Sequence, residues 1–214
     1  VTEDEARDWL SAHLTVPRET SERLEAYIAL LFEEMAHQNL IAESTKPHVW
    51  ARHIVDSAQL LPLAGPPQGE GLWIDLGSGA GLPGIVIAIL SDWPVLMVES
   101  RKKRTDFLAR VIEALGLSKA RLWEGRAETL VVDHPAAVIS ARAFAPMPRL
   151  LSGSAHLSNE STLWLLPKGR NWQNELESIG PTWQGVFHVE QSVTDAESAI
   201  VVARQVRSKK GGRR

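Results

Sequence analysis

The chain has 214 residues, the length of one domain with extra elements, and its 44% hydrophobic and 23% charged residues exclude a fibrous or wholly disordered protein. A formal net charge of −3 excludes a generally cationic surface, so any binding of polyanions has to come from local patches. The lack of cysteine excludes disulfides, cysteine-ligated zinc or iron–sulfur centres and a cysteine nucleophile.

At the start of the chain, Val1-Thr2-Glu3-Asp4-Glu5 is acidic where a secretory leader is basic and then apolar. No apolar run approaches the roughly 20 residues that cross a bilayer. A cytoplasmic protein without a membrane partner is expected. Over residues 20–40, Leu24, Ile28, Leu31 and Met35 recur at helical spacing, with Thr20 or Ser21 placed to cap the start. A second helix is expected over 49–63, before the breaker Gly65-Pro66-Pro67-Gln68-Gly69. Residues 1–65 thus read as a helical extension packed on the core, 66–206 as the main domain, and 207–214 as a flexible basic tail.

Past the breaker, short apolar runs alternate with amphipathic segments. Strands are expected over 72–76, 94–98, 120–123, 136–140, 162–166, 185–189 and 198–203, and helices over 83–90 and 102–115, the latter stopped by Gly116. This is an α/β pattern: a mostly parallel seven-stranded sheet with helices on both faces, binding its ligand beyond the C-terminal strand ends. Two local basic patches stand out, Arg101-Lys102-Lys103-Arg104 and the group Arg204, Arg207, Lys209, Lys210, Arg213 and Arg214. Each reads equally well as a solvated face or tail.

The segment Gly77-Ser78-Gly79-Ala80-Gly81-Leu82-Pro83-Gly84 lies between an expected strand and an expected helix. Glycines there allow positive φ and close approach of a ligand. Pro83 suits a first helical turn, whose exposed N–H groups favour an anionic group. The spacing fits two cofactors. Gly79-x-Gly81-x-x-Gly84, with Glu99 about 20 residues after Gly79, satisfies the dinucleotide fingerprint and hence a nicotinamide oxidoreductase. The same turn also fits S-adenosyl-L-methionine, whose carboxylate would meet the helix start. Three features favour the second. Asp75, directly before the glycines, would meet an ammonium group but repel a pyrophosphate. The chain after the turn is too short for a separate substrate domain. Glu128, in Arg126-Ala127-Glu128, offers an acid where an adenine is read, as Glu99 offers one to ribose hydroxyls.

Further motifs then bring in a family. Asn39-Leu40-Ile41-Ala42, Arg52-His53-Ile54-Val55-Asp56-Ser57, the turn from Asp75 to Gly84, Gly125-Arg126-Ala127-Glu128, Ser140-Ala141-Arg142-Ala143-Phe144-Ala145 and Leu166-Pro167-Lys168-Gly169 follow one another as in the bacterial small-subunit rRNA guanine-N7 methyltransferases. The chain resembles that family from Asn39 to the last strand. Ile41, where many members have threonine, and the variable Leu163-Trp164-Leu165-Leu166-Pro167 depart from the pattern. The resemblance implies a Rossmann-like class I methyltransferase that uses S-adenosyl-L-methionine to methylate N7 of a guanine in 16S rRNA; a monomer acting on the rRNA or the small ribosomal subunit is expected. Gly77, Leu82, Ala127, Glu128 and Arg142 fall on its cofactor positions and Glu99 on the ribose-facing acid. With Asp75, Gly79, Gly81, Ser100 and Arg101 from the same two turns, these make up the expected cofactor site.

Guanine N7 carries an in-plane lone pair and attacks a sulfonium methyl without losing a proton. That suits a chain in which no nucleophile, base and orienting acid form a recognisable set. Arg142 is the residue expected to align or contact the substrate. Arg52, His53, Lys168 and Arg170 are RNA-binding candidates, and Asp56 is expected to pair with Arg52 one turn earlier on its helix. No metal site is expected. A methyltransferase acting on another RNA, a protein or a small molecule remains the main alternative reading.

Overall fold

The computed structural model describes residues 1–69 and 71–209. Seven strands form one sheet: β1 (Trp73–Leu76), β2 (Val95–Glu99), β3 (Ala120–Glu124), β4 (Val138–Ser140), β5 (Leu163–Lys168), β6 (Trp183–Gln191) and β7 (Ala199–Ser208). Their order is β3-β2-β1-β4-β5-β7-β6. The first five are parallel, and β7 runs antiparallel to both β5 and β6. All four residues of β1 are buried, as a central parallel strand covered on both faces requires. The chain leaves β1 towards β2 on one side, while β4 lies on the other, so the topology switches at the C-terminal end of β1.

One face carries α5 (Gly84–Leu90) and α6 (Lys102–Ala114), and the other carries α7 (Met147–Ser154) and α8 (Trp172–Ile179). Five of the seven residues in α5 are buried, because the N-terminal segment lies over it. That segment contains α1 (Glu3–His13), α2 (Arg18–Glu34) and a helical stretch made of a 3-10 turn (Glu43–His48), a π-helical segment (Trp50–Val55), α3 (Asp56–Ala58) and α4 (Leu60–Ala64). Leu10, Leu24, Leu31 and Ile54 share one apolar core with Ile85, Ile87 and Leu108, so the extension is continuous with the main core.

Several expectations shift at element ends. α2 starts at Arg18 after Pro17, and the Thr20 and Ser21 N–H groups bond the Pro17 carbonyl, so neither residue is the cap. The α1 start, where Thr2 and Glu5 form a reciprocal capping box, is the S/T-x-x-E pattern at the N-terminus. β7 continues through Arg207 and Ser208, so the chain stays in the sheet two residues past the expected tail boundary. Lys210, Arg213 and Arg214 lie outside the described residues.

Candidate active site

The turn after β1 is held by two acids acting from below and beside it. Asp75 is fully buried, and its Oδ2 accepts from the Gly84 N–H at 3.1 Å while Oδ1 accepts from Ser140 Oγ at 2.8 Å. Ser140 Oγ in turn accepts from Trp73 Nε1 at 2.9 Å. Burial pushes the Asp75 carboxyl above its ordinary range, and these hydrogen bonds oppose that. Both carboxylate oxygens of Asp75 are thus engaged inside the protein, one on the glycine turn and one on β4. Asp75 fixes the glycine turn to the sheet, and it takes the N–H at the start of α5 that was expected to face a cofactor carboxylate.

Glu99 plays the matching part at the end of β2. Its Oε2 accepts from Gly79 N–H at 3.0 Å, and its Oε1 accepts from Ser100 N–H at 2.8 Å and Arg101 N–H at 2.9 Å. Arg104 Nη1 stands 3.6 Å from Oε2. A carboxylate has about four acceptor positions, so roughly one is left for a ribose hydroxyl. Gly77, Gly79 and Gly81 all have positive φ, +69°, +57° and +93°, which is why the turn is glycine at alternate positions. Gly81 faces inward, where a Cβ would stand 2.4 Å from Ile85 Cγ1, so its role is close packing of the turn on α5. Tyr27 ties the extension to the turn by donating to the Ala80 carbonyl at 2.8 Å.

Two cavities open at the C-terminal strand ends. The first, of about 770 Å³, is lined by Gly77, Gly79, Leu82, Arg52, His53 and Arg142, with Lys168 further along the wall. The second, of about 610 Å³, is lined by Gly77, Glu99, Ser100, Arg101, Ala127 and Glu128. Both volumes fall in the range of small-ligand sites. The two cavities share Gly77 and Phe144, and the Phe144 ring lies against Gly77. Phe144 was not among the expected site residues. The preceding Ala143 adopts φ +50°, a left-handed conformation uncommon for alanine, which sets the chain direction at Phe144.

Arg142 is the centre of the first cavity. Its Nη1 donates to Asp56 Oδ2 at 3.1 Å and to the Arg52 carbonyl at 3.3 Å, and both Nη atoms lie 3.4 Å from His53 Nδ1. A guanidinium only donates, so Nδ1 is the acceptor and the His53 proton sits on Nε2. Nε2 then donates to Thr45 Oγ1 at 2.8 Å, and Thr45 Oγ1 donates to the Ala42 carbonyl at 2.7 Å. Burial, with Arg142 and Arg52 nearby, lowers the His53 pKa to about 3, so the ring is neutral. Asp56 also accepts from Thr194 Oγ1 at 3.0 Å. The expected Asp56–Arg52 pair does not form, because the π-helical turn carries Arg52 to Asp195 at 2.9 Å and leaves Asp56 facing Arg142.

The remaining RNA candidates separate. Lys168 lines the first cavity but its side chain is only 8% exposed and bonds Glu175 at 2.7 Å. Arg170 is exposed, pairs with Glu197 at 2.8 Å and lines neither cavity. In the basic patch after β2, Lys102 is paired with Asp106 and Glu124. Among the described residues no cluster of acids and histidines is arranged to hold a metal ion.

A parallel sheet reversed at one edge, with a glycine turn at the switch point and acids at the ends of β1 and β2, defines the class I methyltransferase fold. A glycopeptide N-methyltransferase, MtfA, solved in complex with S-adenosyl-L-methionine, superposes with a TM-score of 0.57 at 12% identity over 72% of this chain and 94% of that one. Closer similarity lies in sequence. The family profile described as rRNA small subunit methyltransferase G matches residues 20–203. The ribosomal RNA small subunit methyltransferase G of Sphingopyxis alaskensis is 55% identical over 197 residues, 92% of this chain and 84% of that one. Its namesake in Rhizorhabdus wittichii is 48% identical, covering 100% of this chain and 98% of the relative. The chain belongs to the small-subunit rRNA methyltransferase G family.

Proposed function

We propose that the protein transfers a methyl group from S-adenosyl-L-methionine to N7 of a guanine in 16S rRNA. The residues present fit that cofactor. Gly77 and Gly79 give a backbone cradle without Cβ atoms, Leu82 and Arg142 line its first cavity, and Glu99, Ser100, Arg101, Ala127 and Glu128 line the second. The bound cofactor supplies an electrophilic methyl group on sulfur.

The observation that carries the choice of N7 is the commitment of the acids and the histidine around Arg142. Asp56 is taken by Arg142 and Thr194, Asp195 by Arg52, Glu175 by Lys168, and neutral His53 by Thr45 and Arg142. None is placed as a free general base. An acceptor atom that attacks through an existing lone pair, as guanine N7 does, needs none, and rate enhancement then comes from alignment. Arg142, held from three sides, is the aligning group.

The near-neutral chain supports a further part of this reading: the substrate is an assembled or partly assembled small subunit, met by a cytoplasmic monomer. No helix among the described residues is long and apolar enough to cross a membrane. The deciding experiment deletes the gene and probes 16S rRNA by borohydride and aniline cleavage. Loss of one cleavage site, restored by the gene in trans, is expected. An unchanged pattern, or a different methylguanosine isomer made by the purified protein on subunits, would overturn the N7 assignment.

A further inference from the structure

The second cavity holds more positive charge than its expected ligand uses. Arg101, Arg104, Arg126 and Arg149 line it, against two carboxylates, Glu99 and Glu128. The arginines come from separate places: the end of β2, α6, the turn after β3, and α7. Only the fold brings them together. Arg104 stands 3.6 Å from Glu99 and Arg126 3.8 Å from Glu128, while among the described residues no acid pairs with Arg101 or Arg149, both exposed.

S-adenosyl-L-methionine has a sulfonium, an ammonium and one carboxylate, so it is a net cation, and its adenosine end bears no phosphate. Surplus guanidinium groups around that end do nothing to attract it. They suit phosphodiesters, which guanidinium binds as a planar fork. Trp123 adds a second sign. It is 39% exposed on the edge strand β3, and its Nε1 lies 2.6 Å from where a Cβ on Gly125, itself part of the cavity wall, would stand. A partly exposed aromatic beside arginines is the pairing that binds unpaired nucleotides, with bases stacked and phosphates neutralised.

We propose that Arg126, Arg149 and the Arg101 side chain, with Trp123 beside them, form a binding surface for single-stranded RNA backbone at the rim of the second cavity. This rests on the reading of the protein as an RNA methyltransferase and adds where the strand flanking the target runs. It also locates local positive charge on a chain whose net charge is −3.

The test uses the full-length protein and a short fluorescent single-stranded RNA, titrated at several salt concentrations. The variants are Arg149→Gln, Arg126→Gln, the double variant and Arg149→Lys. The double variant is expected to bind RNA roughly tenfold more weakly, with the slope of log affinity against log salt shallower by about one per arginine removed. Arg149→Lys should keep most of the affinity, and Arg149→Gln should bind S-adenosyl-L-methionine as the parent does in calorimetry. Unchanged RNA affinity and salt slope in the double variant would overturn the proposal. So would weaker cofactor binding in Arg149→Gln with RNA binding intact, which assigns Arg149 to the cofactor. Adenosine 3′,5′-bisphosphate binding that is lost in Arg149→Gln and displaced by the cofactor would assign the arginines to a nucleotide phosphate and overturn it too. The readout is RNA binding, so a parent protein that binds RNA through these arginines but methylates no 16S rRNA would sink the functional reading and leave this surface standing.

Discussion

The ring of Phe144 fills the space beside Gly77: a Cβ on Gly77 would stand 2.3 Å from Phe144 Cδ2. Gly77 also has φ +69°, so alanine there meets both a backbone penalty and a collision. The backbone part costs about 1–2 kcal/mol. We expect Gly77→Ala to lower stability in urea melts by more than that, and to weaken S-adenosyl-L-methionine binding at least tenfold. In a Phe144→Ala background the collision is gone and only the backbone part remains. The two substitutions should then couple by about 1 kcal/mol, with the double variant more stable than the sum of the singles. Additive losses would show that the ring moves aside freely.

Asp56 and Arg142 form the second relationship on which the site depends. Their side chains are 18% and 20% exposed, so the pair is partly screened. Removing one partner of a fully buried pair costs about 3–5 kcal/mol, and a partly exposed one should cost nearer 1–2 kcal/mol. Asp56→Ala is expected to lose that much stability, and to lower kcat more than it raises KM for the small subunit, because Arg142 loses its orientation. Asp56→Asn keeps an acceptor for Arg142 in its amide oxygen, with the amide nitrogen donating to Thr194 Oγ1 in place of accepting from it, and should recover part of the turnover. Equal kinetics for both variants and the parent would remove Asp56 from the positioning of Arg142.

The same pair marks the limit of what the chain discloses by itself. The alternation after Gly69 and the position of the glycine turn were readable, because strand and helix periods and glycine conformations are local properties. The partners of Asp56 were not. The local rule favours Arg52 four residues earlier, and the π-helical turn, together with contacts to a loop near residue 194, reassigns both side chains. The internal partners of Asp75 are hidden for a related reason. A carboxylate before glycines looks ligand-facing in a sequence, and only the pairing of β1 with β4 places Ser140 beneath it. The short helices α7 and α8 lie outside the expected elements, although Trp172, Leu176 and Ile179 recur at helical spacing. Phe144 had a readable signal too, as the lone aromatic directly after Arg142-Ala143.

His53 sets a pH dependence whose sign is fixed. Its folded pKa is about 3, below the unfolded value near 6.5. Between those values the unfolded chain binds a proton that the folded chain does not. Stability from this group is complete above about pH 6.5 and falls as pH drops towards 3, by at most about 1.4 kcal/mol per pH unit. His53→Gln retains an acceptor for Arg142 and a donor for Thr45 without titrating. Urea midpoints measured from pH 7 to pH 4.5 should fall less steeply for His53→Gln than for the parent, and parallel curves would show that His53 is charged in the folded protein.

Asp75 offers the sharpest separation between holding the turn and binding a ligand. Its carboxylate is the acceptor for both Gly84 N–H and Ser140 Oγ, and no edge of it is exposed. Asp75→Ala leaves the Gly84 N–H buried without this acceptor and a small void under the turn, a loss of about 2–4 kcal/mol. Asp75→Asn is different, because the amide oxygen can take the Gly84 N–H while the amide nitrogen donates to Ser140 Oγ, whose hydroxyl proton is free to turn elsewhere. It should cost roughly 1 kcal/mol. If Asp75 only braces the turn, the asparagine variant should bind S-adenosyl-L-methionine within about threefold of the parent, since a loss of one weak hydrogen bond at the turn leaves its backbone in place. If Asp75 instead served the cofactor's ammonium group, loss of the charge would weaken binding by far more than it weakens folding. Calorimetry and urea melts on the same two variants tell these apart.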